Sequence, residues 1–209
     1  MPRCGFGKGA IGPGLMLLAA VLAMRVAGAQ APAQAKTFES SQFHYAVALP
    51  AGCRHDEGPG TIEAVCSPDF DLEQSAVISN ASALVLAVAA ETVPEDAGKT
   101  PGELQQRYGE AAFREELPEA VCGESDKARV KISNVKDVVE DSRVVYTADV
   151  VCAEVKFLQI GERRALVRHV IGSDARYRLV ARALAEDFDK QRERIDGFLA
   201  SFKMLPATK

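Results

Sequence analysis

Apolar side chains recur at a period of two early in the chain. Residues 43–49 (FHYAVAL) set Phe43, Tyr45, Val47 and Leu49 on one side, which predicts a strand closed by Pro50-Ala51-Gly52. A short strand at Ile62–Cys66 follows, and the small apolar run at residues 83–90 reads as a strand central in a sheet. The pattern then changes. Thr100-Pro101-Gly102-Glu103 has capping-box spacing with proline at the first helical position, so a helix starts there. Leu104, Tyr108, Ala111 and Ala112 would form its apolar side, and Pro118 sets its latest expected end. Beyond Cys122 the β-branched texture predicts strands at 128–139, 143–153, 155–160, 164–171 and 176–184, parted by turns such as Glu140-Asp141 and Gly161-Glu162.

The period changes once more at the end. Over residues 187–202, Phe188, Ile195, Phe198, Leu199 and Phe202 trace one face of an amphipathic helix, with Glu186, Asp187 and Asp189 matching the dipole at its start. Strands with one helix in the middle and one at the end predict an α+β fold: an antiparallel, curved sheet packed on one face by a central and a C-terminal helix.

The N-terminus reads differently. Arg3 and Lys8, an apolar stretch from Ile11 to Met24, and Ala27-Gly28-Ala29 follow the plan of a cleavable secretory signal over residues 1–29. Gln30 is the expected mature start, and cuts after Ala33 or Ala35 also suit the small residues there. Gly12, Pro13 and Gly14 break the apolar stretch and Arg25 closes it, so it is too short for the ~20 residues of a membrane-spanning helix. Residues 30–37 form an Ala/Pro/Gln leader, and 38–205 form one domain with no further membrane span. The expected location is the periplasm or the exterior.

Cleavage removes Arg3, Lys8 and Arg25, leaving 22 basic against 29 acidic residues, a formal charge of −7. That balance argues against nucleic acid as a partner. Four cysteines remain, Cys53, Cys66, Cys122 and Cys152, an even number suited to disulfides in an oxidising compartment. Three pairings are possible, and the sequential one, Cys53 with Cys66 and Cys122 with Cys152, is expected. No C-x-x-C pair points to zinc, and no metal or cofactor is expected.

The leading "F-x-Y-x-V-x-LP-x-G" strand, the "TPGELQQRY" helix, the meander and the terminal "DFDKQRERIDGFLASFKML" helix together resemble the PsbP-like fold family, including its DcrB-like bacterial envelope branch. The likeness spans about residues 38–205. It implies an accessory, non-enzymatic binding or assembly role. It supplies no catalytic residue, because that family shares no catalytic motif.

Candidate chemistry is sparse. The chain has no G-x-S-x-G elbow, and its cysteines are better explained by pairing than as nucleophiles beside His44, His55 or His169. Asp69, Asp71 and Glu73 begin like a calcium loop, but Gln74 stands where glycine is required and Asn80 where glutamate is. They would be the first carboxylates to try for a hard cation. His169 shares a strand face with Val167 and Ile171 and should be a partly buried, hydrogen-bonded histidine.

Arginine stands out. Arg163, Arg164, Arg168, Arg176, Arg178 and Arg182 crowd two successive strands, and Arg176, Arg178 and Arg182 share parity. With the helices on the apolar side, these arginines would line an exposed stripe for an envelope protein or small anionic ligand, or pair with local acids such as Asp149 and Glu154. Arg168, Arg176, Arg178 and Arg182 are the candidate binding residues. The alternatives are an enzyme with a dispersed site around His169 and a purely structural part of an envelope complex.

Overall fold

The computed structural model describes residues 35–66, 83–123, 129–152 and 161–206. The expected strand at 155–160, the acids Asp69, Asp71 and Glu73, and Glu154 lie outside them. The first strands are β1 (Lys36–Ser40), β2 (Tyr45–Leu49), β3 (Arg54–Gly58), β4 (Thr61–Cys66) and β5 (Leu84–Thr92). Helices α1 (Pro101–Arg107) and α2 (Glu110–Cys122) follow, then β6 (Lys131–Glu140), β7 (Arg143–Cys152), β8 (Arg163–Ile171) and β9 (Ala175–Leu184). A helical turn at Ala185–Phe188 and a 3-10 turn lead into α3 (Arg192–Ser201), and β10 (Lys203–Met204) ends the fold. β1 takes in Lys36 and Thr37, at the end of the stretch read as a leader.

Seven strands form one antiparallel sheet in the order β3-β4-β5-β9-β8-β7-β6, and β1-β2-β10 form a second, smaller one. The α+β class, the antiparallel sheet and the C-terminal helix packed on it follow the sequence pattern. Phe188, Ile195 and Phe198 are buried in one cluster with Tyr177, Leu179, Ala181 and Ala183 of β9 and with Tyr45, Val47 and Leu49 of β2. α3 is also fixed at its end, where Ser201 Oγ accepts from the Ala48 N–H at 2.9 Å.

The central helices lie against the other face of the sheet. Leu104, Phe113, Leu117 and Val121 are buried with Val144, Tyr146, Ala148 and Val150 of β7 and with Ala165, Val167 and Ile171 of β8. Registered opposite one another, these β7 and β8 residues make a continuous apolar seat on the face away from α3, and that seat holds the central helices.

Thr100 closes the expected capping box with Glu103, but the helix breaks at Gly109 and resumes past Pro118 to Cys122. An interior proline removes a hydrogen bond and costs about 3 kcal/mol. Burial of Phe113, Leu117 and Val121 contributes about 1.5–3 kcal/mol each, which outweighs that loss. Gly123, with φ of +63°, then stops the helix in the left-handed conformation.

Two disulfides staple the domain with the sequential pairing. Cys53–Cys66 ties the start of β3 to the end of β4, and Cys122–Cys152 ties the last residue of α2 to the last of β7. The segment between the bonded Cys53 and Cys66 is a hairpin, in which β3 pairs with β4 from Arg54↔Val65 to Gly58↔Thr61. Gly60 makes its turn possible: φ is +72°, and a Cβ there would lie 2.5 Å from the Ala90 carbonyl oxygen and 2.7 Å from the Phe43 ring. Among the described residues no helix is long and apolar enough to cross a membrane.

Because Phe198 is 1% exposed, Phe198→Ala should lower the unfolding free energy in urea by about 3–5 kcal/mol. A loss below about 1 kcal/mol would show that α3 does not close this core.

Candidate functional site

Strand parity places Arg176, Arg178 and Arg182 on the sheet face opposite Tyr177, Leu179 and Ala181, as expected. That face is covered by α2. Glu116 of α2 accepts from Arg178 at 3.0 Å and lies 3.8 Å from Arg176, which also meets Glu91 of β5 at 2.7 Å. Arg182 Nη1 donates to the Val121 carbonyl at 2.7 Å, satisfying one of the helix's last carbonyls with a cation at the negative end of its dipole. Burial and neighbouring Arg163 pull the Arg182 pKa below that of a free guanidinium. The arginines thus form a half-buried row that fastens a helix, in place of an open stripe.

Their partners also differ from the expected acids. Asp149 projects from the other face and accepts from Asn134 at 2.5 Å. Arg168 is on that other face too, donating to the Leu199 carbonyl at 3.3 Å and to Glu140 at 2.9 Å. The β8–β9 register pairs His169, not Arg168, with Arg178. Three of the four candidate arginines therefore share a face, and the fourth borders a separate groove beside α3, lined by Lys136, Val138, Glu140 and Asp196.

Between α2 and the ends of β5 and β9 opens a crevice of about 480 Å³. Arg176, Arg178 and His169 line it together with Glu91, Glu116 and Glu119. The Nε–H groups of Arg176 and Arg178 are buried and find no acceptor among the described residues. Each guanidinium thus keeps donors beyond those its glutamates use.

The crevice wall is braced from behind. Tyr108 carries the Arg176 guanidinium over its ring at 4.7 Å and donates its hydroxyl to buried Asp96 at 2.5 Å. Burial alone would raise the Asp96 pKa, but hydrogen bonds from Lys99 and Tyr108 hold it below the usual carboxylate value. Asp96 so remains an anion to which Lys99, at 2.6 Å, and Arg107, at 3.3 Å, are paired. The helical pattern placed Tyr108 on the apolar side of its helix, but Asp96, Glu91 and Glu116 carry no sequence signal that points to the arginines.

His169 is only 3% exposed, and its ring sits 6.0 Å from that of Phe113. Among the described residues its ring makes no hydrogen bond, in contrast to the expected hydrogen-bonded histidine. Burial first, then the positive charges of Arg178 and Arg176, push its pKa down to about 3. It is neutral at ordinary pH and holds no carboxylate that would orient it as a base. Among the described residues no group of three or more His, Cys, Asp or Glu side chains is placed to hold a metal ion.

The His169 shift fixes a pH dependence. The unfolded chain gains a proton on this ring below its ordinary value of 6.5, whereas the folded chain does not until about 3, so stability falls as pH falls through that window. His169→Asn removes this linkage. Between pH 7 and 5 the wild type should lose about 2 kcal/mol relative to the variant in urea unfolding, and parallel pH profiles would contradict a neutral buried ring.

No protein-family model matches the sequence, and no curated protein matches it. Solved structures do. The chain is similar to the cyanobacterial PsbP (CyanoP) of Synechocystis sp. PCC 6803, with 15% identity and a TM-score of 0.52 over 85% of this chain and 95% of that one. It is also similar to LpqN of Mycobacterium tuberculosis, described as involved in cell envelope biogenesis, with 10% identity and a TM-score of 0.53 over 83% and 91%. At these identities what is shared is the architecture, and the fold of this chain is PsbP-like.

Proposed function

We propose that this chain is an exported accessory protein of the bacterial cell envelope that works by binding, and that the crevice under α2 takes a carboxylate- or phosphate-bearing ligand. Export is supported by the signal-like first 29 residues and by two disulfides, bonds that persist outside the reducing cytosol. The accessory role draws support from the fold shared with CyanoP and with LpqN, a protein of envelope biogenesis. On this reading the signal ends at Ala29, a leader runs from residue 30 up to β1, and the binding domain extends from β1 to about residue 205.

The observation that carries the ligand assignment is an open cavity lined by Arg176 and Arg178, whose buried Nε–H donors find no acceptor among the described residues. An unsatisfied buried donor costs about 1–3 kcal/mol, which an incoming anionic oxygen would recover. Planar, two-pronged guanidinium groups suit carboxylate and phosphate oxygens in particular. Glu116 already shows the geometry, since one carboxylate spans both arginines. Arg182 serves this site by holding down the end of α2, and Arg168 lies outside it.

Side-chain NMR tests the assignment. Titrating succinate, a glutamate-rich peptide and inorganic phosphate separately should give saturable shifts of the Arg176 and Arg178 Nε–H signals for at least one of them. Arg178→Gln should weaken that binding about ten-fold, the value of a charged hydrogen bond. Linear, unsaturating shifts with all three probes would overturn the assignment.

A further inference from the structure

We infer that the outer edge of β6 pairs antiparallel with β6 of a second copy of this chain, joining two seven-stranded sheets into one. β6 ends the large sheet, and no described strand pairs with its outer edge. Among the described residues the exposed large hydrophobic side chains are Val138 and Val139, 46% and 52% exposed, and both are on this strand. Unprotected edges of this kind are templates for another strand.

The two halves of β6 differ. In the first half the register slips between Ser133 and Lys136, with Asn134 at φ of +52°, and Arg114 Nη1 caps the Ile132 carbonyl at 3.3 Å. A bulge and a capped carbonyl blunt that half against pairing. In the second half, Lys136 to Glu140 pair regularly with Thr147 to Arg143.

The turn fixes which backbone groups of this half are free. Asp141 and Ser142, with φ of +46° and +64°, form a two-residue turn of the primed kind, so Glu140 and Arg143 form the hydrogen-bonded pair that closes the hairpin. Alternation then points the N–H and C=O of Glu140, Val138 and Lys136 toward β7, and those of Val139 and Asp137 outward. Outward groups can bond only with outward groups. A two-fold axis at Val138 meets that condition: Asp137 of one copy faces Val139 of the other, twice, which allows four intermolecular backbone hydrogen bonds.

The side chains agree with that register. Lys136, Val138 and Glu140 share one face, bordering the groove beside α3. About an axis at Val138 each Lys136 meets Glu140 of the other copy, and the two Val138 side chains meet each other. These are non-hydrogen-bonded pairs, in which opposite side chains come closest. Lys136 has no partner among the described residues, whereas Glu140 already receives Arg168 at 2.9 Å. Each end of the interface would then be an Arg168–Glu140–Lys136 relay of alternating charge.

Sedimentation velocity over a concentration series tests this. The wild type should pass from monomer to dimer as concentration rises, more readily at low salt because the charge pairs are exposed. Val139→Pro deletes an outward N–H without touching the β6–β7 ladder and should leave the protein monomeric with an unchanged melting temperature. Lys136→Glu and Glu140→Lys should each be monomeric alone, and their equimolar mixture should dimerise, since both charge pairs are then complementary. Hydrogen exchange should slow at the Asp137 and Val139 amides of the dimer. A wild type that stays monomeric throughout, or a dimer indifferent to Val139→Pro, would overturn the inference.

Discussion

Burial of Phe188, Ile195 and Phe198 against the apolar face of β9 is the constraint from which the rest of the architecture follows. Full burial contributes about 1.5–3 kcal/mol for each such side chain. That attraction commits Tyr177, Leu179, Ala181 and Ala183 to the α3 side. Strand alternation then leaves Arg176, Arg178 and Arg182 no choice but the opposite face. Their side of the sheet is claimed in turn by α2, whose Phe113, Leu117 and Val121 have their own apolar seats on β7 and β8. The arginines sit at the margin between those seats and solvent, where their charge must be matched locally or left facing a cavity.

The matching is partial, and that gives the crevice its character. Glu91, Glu116 and the Val121 carbonyl take some guanidinium donors, and Tyr108, itself steadied by Asp96, supports one guanidinium plane. Among the described residues the Arg176 and Arg178 Nε–H groups remain without acceptors, beside a histidine kept neutral by the same burial and the same positive charges. On the proposed reading, the neutral imidazole, the cationic forks and the helix across them are what would receive an anionic oxygen. The surface on β6 answers to a different rule, the unmet hydrogen bonds of a sheet edge, and lies on a different strand.

Strong local signals made much of this legible in the sequence. The Thr100 capping box, the alternation of β2 and β9, and the Phe188-to-Phe202 stripe each reflect an interaction within a few residues, and each is present in the fold. β3 was not legible, because Arg54 to Gly58 are polar and the strand exists through its pairing with β4 and the adjoining Cys53–Cys66 bond. Pro118 misled for a related reason: its local cost is overridden by burial of residues on either side. At the candidate site the arginines and their parity could be read. Their glutamate partners could not, since Glu91 and Glu116 reach them from β5 and α2, and only tertiary structure decides which face those elements cover.

The central claim is that α2 is fastened across the arginine row, so that the row is a crevice floor and not an open stripe. A double-mutant cycle between Arg178→Gln and Glu116→Gln, followed by urea unfolding, tests it most directly. The account predicts a coupling free energy of at least about 0.5 kcal/mol between the two positions. Additive effects, within the scatter of about 0.3 kcal/mol expected of independent sites, would mean that helix and row do not hold each other.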